Sequence, residues 1–347
     1  MMSDDLRTLA HEAYVYLYPL VTMDVTRRQA VSAPPGDKPL FGPPNEFHHL
    51  REFPPAEFRS VVRPNFDTLY SSAWLDLTAG PVALHVSDTG GRYFMVPLLD
   101  MWTDVFATLG PRTTGSGDQD YLVVGPDHEG ELPAAARVLR APTPHVWVIG
   151  RIQTNGPADY EKVRRIQDGL TLEALHPVEH PVDPAVDAVT DPLATVNGFT
   201  AVEFFTRACR ALADNPPHPT DFSVLARIAP LGIVPGRDFD PDRFTDPDLA
   251  ALEAGAVSAR KAILSPSTPS PPPSTAGASA PRPWACTATP TSSGPPSPPS
   301  ASGPTRRRTR STPSSPPTRT ANPSPGSTTT CCTSRRTACR PSTRSGR

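Results

Sequence analysis

Apolar residues near the start of the chain recur at helical spacing. Leu6, Leu9, Ala13, Leu17 and Leu20 share one face, which predicts a helix over residues 3–31. Ser3 is placed to cap it, Pro19 is expected to kink it, and Pro34-Pro35 end it. A Pro/Gly-rich connection follows to about Glu52. From Glu57 to Gly156 the period shortens to two, the spacing at which successive side chains face opposite sides of a sheet. Strands are predicted over 58–63, 68–77, 82–86, 93–98, 105–109, 121–124 and 146–153. Turn chemistry separates them at Ala79-Gly80-Pro81, Asp88-Thr89-Gly90-Gly91 and Gly115-Ser116-Gly117. Short strands at this spacing point to an antiparallel, immunoglobulin-like β-sandwich.

Helical signals then return. Asn155 and Pro157 open a helix running to about Leu172, and Thr200-Ala-Val-Glu203 is a capping box for one ending near Asp214. Thr245 caps a last helix over 246–264. The expected fold class is therefore mainly β with α. It comprises an N-terminal helix and connection (1–56), a sandwich (57–175), a small helical domain (176–264) and a tail (265–347).

Composition changes the picture only for the tail. Of 347 residues, the first 264 hold all 35 acids and 22 of 33 bases, 22 − 35 = −13, while the tail holds 11 arginines and no acid, giving +11. An Arg-rich tail would suggest nucleic acid or an anionic membrane as partner. The tail's alphabet argues otherwise. It uses Ser, Pro, Thr, Ala, Gly, Arg, Cys, Trp and a single Asn, with no Val, Ile, Leu, Met, Phe or Tyr. Such a segment cannot bury a core and is expected to be disordered. Every one of these types except Asn322 has G or C at the second codon position, as expected when the wobble base of a GC-rich gene is read one frame out. Joining each third base to the next two permits His-Asp-Tyr-Val-Leu-His-Phe over 327–334. It permits Pro-Val-Asn-Ala-Phe-Trp over 340–346, and Gly-Ala-Asn-Pro-Pro-Glu-Asp-Ala-Val-Tyr-Pro over 302–313. These strings have the alternation and turn residues of strands. The tail thus reads as a frameshift near residue 265.

Cys209 sits in an apolar helical stretch and reads as a buried thiol, while Cys286, Cys331, Cys332 and Cys339 lie in the tail and define no disulfide or zinc framework. No apolar run is long enough to span a bilayer, and Asp4-Asp5 stand where a signal peptide would carry positive charge, so a cytoplasmic location is expected. Neither nucleic acid nor membrane is expected as partner; a small polar ligand is the class left open.

At Arg63-Pro64-Asn65-Phe66-Asp67-Thr68-Leu69-Tyr70 the chain resembles the bacterial domain of unknown function family 1254 (DUF1254). Gly91-Arg92-Tyr93, Leu99-Asp100-Met101, Gly110-Pro-Arg-Thr-Thr-Gly115, Val123-Val-Gly-Pro126 and Val146-Trp-Val-Ile-Gly-Arg151 carry the same resemblance in order, over about 6–175. It implies an immunoglobulin-like sandwich, then a helical segment, then a jelly roll of the partner family 1214 (DUF1214). The strings recovered from the shifted frame resemble that jelly roll, which this chain lacks as protein. The resemblance brings no established activity.

The candidate chemistry lies in Arg63, Asn65, Asp67, Tyr70, Arg92, Asp100 and Asp104. A carboxylate beside an arginine stays ionised and can orient a polar ligand or act as a base. Asp67 and Asp100 are the candidate bases, with the others as ligand-binding groups. Asn65 and Asp67 equally suit an Asx turn after Pro64, and Arg92 a structural ion pair. His176-Pro-Val-Glu-His180 has the spacing of an inverted zincin motif, but Pro177 and Pro181 leave no room for the helix that would align its ligands. His48-His49 is expected on a loop surface. Asp238-Phe-Asp240-Pro-Asp242 has Arg243 where a calcium loop needs glycine, so capping is expected instead. Trp74, Trp102 and Trp147 read as core. No metal or cofactor is expected, and no phosphate-binding glycine loop or nucleophile elbow is present. Two functions stand open: a hydrolase- or lyase-like enzyme on a small polar substrate, and a non-catalytic binding or assembly module.

Overall fold

The alternation read between residues 68 and 153 becomes two facing sheets in the computed structural model. It describes residues 3–34, 36, 38–54, 65–134, 136–176, 180, 186–187 and 189–265. The strand expected over 58–63, the candidate Arg63 and the tail from 266 onward lie outside the described residues.

The chain begins with α1 (Ser3–Ser32), continuous through Pro19. The strands follow as β1 (His48–His49), β2 (Thr68–Asp76), β3 (Val82–Val86), β4 (Phe94–Leu99), β5 (Val105–Leu109), β6 (Gln119–Val124), β7 (Val138–Arg140) and β8 (His145–Gln153). Then come α2 (Tyr160–Asp168), β9 (Leu170–Ala174), α3 (Pro192–Gly198), α4 (Ala201–Asp214), α5 (Phe222–Ile228) and α6 (Asp246–Leu264). One sheet has the order β1-β2-β8-β4-β5 and the other β7-β6-β3-β9. Pairing is antiparallel except between β6 and β7, which run parallel, a departure from the all-antiparallel expectation.

Three strands had no strong sequence signal. β1 carries the two histidines expected on a loop surface; it pairs His48 with Ser72 and His49 with Ser71, leaving both side chains half-buried. β9 lies where the helix opened by Pro157 was expected to continue. That helix instead stops at Asp168, and residues 170–174 pair with β3. The edge of β3 offers a row of backbone donors and acceptors, and Leu170, Leu172 and Ala174 alternate as a strand needs. β7 is a three-residue strand on the other edge, too short for a periodicity to register.

The inward positions of both sheets form one core: Leu69, Ala73 and Leu75 of β2, Val82, Leu84 and Val86 of β3, Phe94, Val96 and Leu98 of β4, and Val146, Val148 and Ile152 of β8. The opposite face of the β2–β8 pair is also apolar. Trp74 and Trp147 stack there at 5.8 Å and join a second core with α1, α4 and α6. Tyr14 and Phe204 stack at 3.9 Å within it, both fully buried. Cys209 is buried, and that burial pushes its thiol up to about 11. The predicted capping box at Thr200 is present, and the predicted cap at Thr245 is also a box: Glu203 accepts from the Thr200 N–H at 2.8 Å, and Asp248 from the Thr245 N–H at 3.1 Å. No described helix is long and apolar enough to cross a membrane.

Charged groups fill the seam between α1 and the sheet. Asp24 is buried and takes Arg28 Nε at 2.9 Å, with Arg27 and Arg207 each at 3.6 Å. Beside them Asp76 lies 3.9 Å from His145 and 3.8 Å from His180. Burial, and then the positive field of Arg27, lower His145 to about 4, against the attraction of Asp76 and Asp24. A histidine whose folded value lies below its unfolded value of about 6.5 takes up its proton more readily when unfolded. Its contribution to stability is therefore full above pH 6.5 and is lost as pH falls toward 4. Depression of Asp76, by contrast, acts only below the ordinary carboxylate range. The loss attributable to His145 is expected to be at most about 3 kcal/mol. Urea unfolding at pH 7 and pH 4.5 should reveal it, and the slope should flatten in His145→Gln; an unchanged slope in that variant would rule His145 out as the source.

Candidate functional site

The β4–β5 turn is built around one carboxylate. Asp100 Oδ1 accepts the N–H groups of Trp102 at 2.8 Å and Asp104 at 3.0 Å, and the backbone closes with Asp100 N donating to Asp104 O at 3.0 Å. Thr103 takes a left-handed conformation, φ 73°, inside this turn, unusual for a residue with a branched side chain. From below, Thr143 Oγ1 accepts the Met101 N–H at 3.1 Å.

The partner comes from far along the chain. After α4, the sequence Pro216-Pro217-His218-Pro219 cannot continue a helix, and His218 is extended at φ −60°, ψ 142°. The Trp102 indole N–H donates to Pro216 O at 3.0 Å, tying this segment to the turn across 114 residues of sequence. His218 Nε2 thereby comes 3.3 Å from Asp100 Oδ2 and 3.1 Å from Asp104 Oδ2. Asp100 is wholly inaccessible, whereas the Asp104 and His218 side chains are 42% and 33% exposed, so the cluster has one buried wall and one open side. Burial raises the Asp100 carboxyl above the usual carboxylate range, opposed by the two turn N–H groups. Its Oδ2 and the facing Nε2 are both buried atoms that form no hydrogen bond, since they are close but not aligned for one.

The other sequence candidates gather at the opposite end of β4, about 18 Å away along a strand rising roughly 3.3 Å per residue. Asn65 makes the Asx turn: its Oδ1 accepts from Asp67 N at 3.0 Å, Thr68 N at 2.8 Å and Thr68 Oγ1 at 2.9 Å. Its Nδ2 donates to the Tyr70 hydroxyl. The Asp67 side chain is exposed, and its carbonyl accepts the Thr154 N–H at 2.8 Å. Arg92 reaches the same corner by donating to Gln153 O at 2.9 Å, but its guanidinium grips Asp159 through two bonds, 2.5 and 2.9 Å. That grip holds the Asp159 carboxyl below its ordinary range. Asp67 and Arg92 thus share an end of the sheet without sharing a polar cluster.

The structure therefore divides the candidates: Asp100 and Asp104 stand together with His218, while Asn65, Asp67, Tyr70 and Arg92 line a distant corner. His218 was missed. A lone histidine between prolines carries no spacing relation to Asp100, and only the Trp102–Pro216 contact joins them. In the H-x-x-E-H stretch, His180 is drawn toward Asp76, and residues 177–179 lie outside the described residues. The Asp240 carboxylate caps the following turn by accepting Asp242 N at 3.1 Å, as expected of a capping residue.

No curated protein matches this chain. Among solved structures, the VPA0106 protein from Vibrio parahaemolyticus is similar at 24% identity and TM-score 0.55, over 76% of this chain. This chain spans 59% of the length of that protein. An uncharacterized protein from Burkholderia cenocepacia has 17% identity and a TM-score of 0.26, over 59% of this chain and 49% of its own. The family described as "Protein of unknown function (DUF1254)" matches residues 44–174, the segment holding both sheets and the turn that carries Asp100 and Asp104. The similarity to DUF1254 is thus confined to those residues, 131 of 347.

Proposed function

We propose that this protein takes a small polar substrate at Asp100, Asp104 and His218 and works on it by proton transfer, as a hydrolase or lyase does. One observation carries the reading: a fully buried carboxylate oxygen with no hydrogen bond faces, at 3.3 Å, the nitrogen of an imidazole whose side chain is one-third exposed. Structural carboxylates in protein interiors ordinarily have their oxygens satisfied, so an orphaned one at a solvent-reachable imidazole calls for a functional explanation. A buried carboxylate can orient the ring and stabilise its protonated form, which leaves His218 as the group that meets substrate.

The Arg92–Asp159 pair favours a second reading, a binding or assembly module, because it removes the arginine from the chemistry the sequence suggested.

A metabolite screen by thermal shift on the full chain separates the two. A ligand at about 100 times its Kd should stabilise the protein by about 2.7 kcal/mol. His218→Ala should abolish that gain, and turnover should follow the same dependence. Ligands that bind the variant as well as the parent, with no turnover by either, would overturn the enzyme reading in favour of the module.

A further inference from the structure

We infer that Asp100, Asp104 and His218 hold a divalent transition-metal ion, with Asp100 Oδ2, Asp104 Oδ2 and His218 Nε2 as its ligands. The inference rests on these residues being the working site; with Nε2 committed to the ion, His218 would meet substrate through that ion rather than as a free base.

The spacing is that of ligands around an ion. The three donor atoms lie within 4.8 Å of one another, with the carboxylate oxygens 3.3 and 3.1 Å from Nε2. Ligand atoms bonded at about 2.0–2.2 Å sit about 3.0–3.4 Å apart in octahedral or tetrahedral geometry. A charge-assisted hydrogen bond at this distance would serve as well if it were aligned, but neither Asp100 Oδ2 nor His218 Nε2 makes one. Two buried polar atoms 3.3 Å apart and bonded to nothing cost stability unless a third body satisfies them.

Charge points the same way. Two carboxylates converge on one imidazole, and among the described residues neither forms an ion pair with a lysine or arginine. The deficit at the site is positive charge.

The surroundings prepare the ligands as metal sites require. Asp100 is oriented by the two N–H groups on its Oδ1, leaving Oδ2 for the ion, and the Trp102–Pro216 bond fixes the segment that presents His218. The exposed side, formed by Asp104 and His218, leaves room for water or substrate at the remaining positions. One imidazole and two carboxylates suit manganese, iron or zinc; calcium would need six to eight oxygen ligands.

The full chain, stripped with a chelator and exchanged into metal-free buffer, would be titrated with MnCl2. Free Mn2+ is read by electron paramagnetic resonance and heat by calorimetry, with MgCl2 and CaCl2 as comparisons. Manganese is the chosen probe because the tail cysteines would compete for zinc. One tight site is expected, weakened roughly 10- to 100-fold in His218→Ala and again in Asp104→Asn. Both substitutions are at partly exposed positions, and circular dichroism would confirm that each variant folds. No saturable Mn2+ binding, or binding that neither variant weakens, would overturn the inference and leave His218 as a hydrogen-bond donor between two carboxylates. Repeating the metabolite screen in chelator separates this failure from that of the proposed function. Ligand stabilisation that persists without metal and still depends on His218 would overturn the metal and keep the proton-transfer reading. Mn2+ binding without any His218-dependent ligand would do the reverse.

Discussion

Replacing Gly255 by leucine is expected to cost at least about 3 kcal/mol of stability, with a smaller loss of about 1 kcal/mol for Gly255→Ala. Glycine inside a helix is normally a weakness, and alanine there would gain about 1 kcal/mol from helix propensity alone. Here the opposing contact decides the sign. α6 crosses α1 at Gly255, and a Cβ placed there would press on the Arg7 carbonyl oxygen, with Ala10 Cβ at 2.7 Å and His11 N at 3.1 Å. Two of those three atoms are backbone, so relief requires the helices to move apart rather than a side chain to turn. Such a shift would open the core that Leu17, Leu20, Phe204, Leu252 and Ala256 fill. The measurement is the urea midpoint at unchanged m value. Gly198→Ala is the control, because a Cβ there meets nothing within 4 Å. If Gly255→Ala matches Gly198→Ala, α1 and α6 do not approach as described.

The second large effect concerns the gene. If each true codon begins at the third base of the codon now read, one nucleotide has been lost, or two gained, between codon 265 and codon 302. Resequencing that interval should find the break, and restoring it should replace everything downstream of it with alternating strand sequence. The exposed apolar side chains on α6, Val257 at 49% and Leu264 at 57%, are the kind of surface such a segment would cover. The repaired protein is therefore expected to unfold at higher denaturant and to stay in solution at higher concentration. One result sinks this reading outright: nucleotides of codons 265–347 that cannot encode the three recovered strings in a single shared frame. That outcome would leave the tail as a genuine Pro/Ser/Arg segment.

Much of the fold is legible in the sequence. Strands β2, β3, β4, β5, β6 and β8 were placed within about two residues because each alternates, and a residue slip would turn its apolar set to the wrong face. The Thr200 and Thr245 caps were legible for a similar reason: a cap is satisfied by residues three positions away, so its chemistry is written locally. The Asx turn at Asn65 is equally local.

What the tertiary structure decided is everything that depends on distant partners. β9 exists because the edge of β3 needed backbone bonds, which overrode the helical start at Pro157. Arg92 became half of an ion pair because Asp159, 67 positions away, arrived at bonding distance. At the proposed site, the sequence supplied Asp100 and Asp104, two acids four apart on one turn. It could not supply His218, whose placement depends on a tryptophan indole reaching a carbonyl between two prolines. Local periodicity reports which face a residue occupies, because that is set by backbone geometry within a few positions. Which side chains meet is set by packing between elements, and no spacing along the chain encodes it.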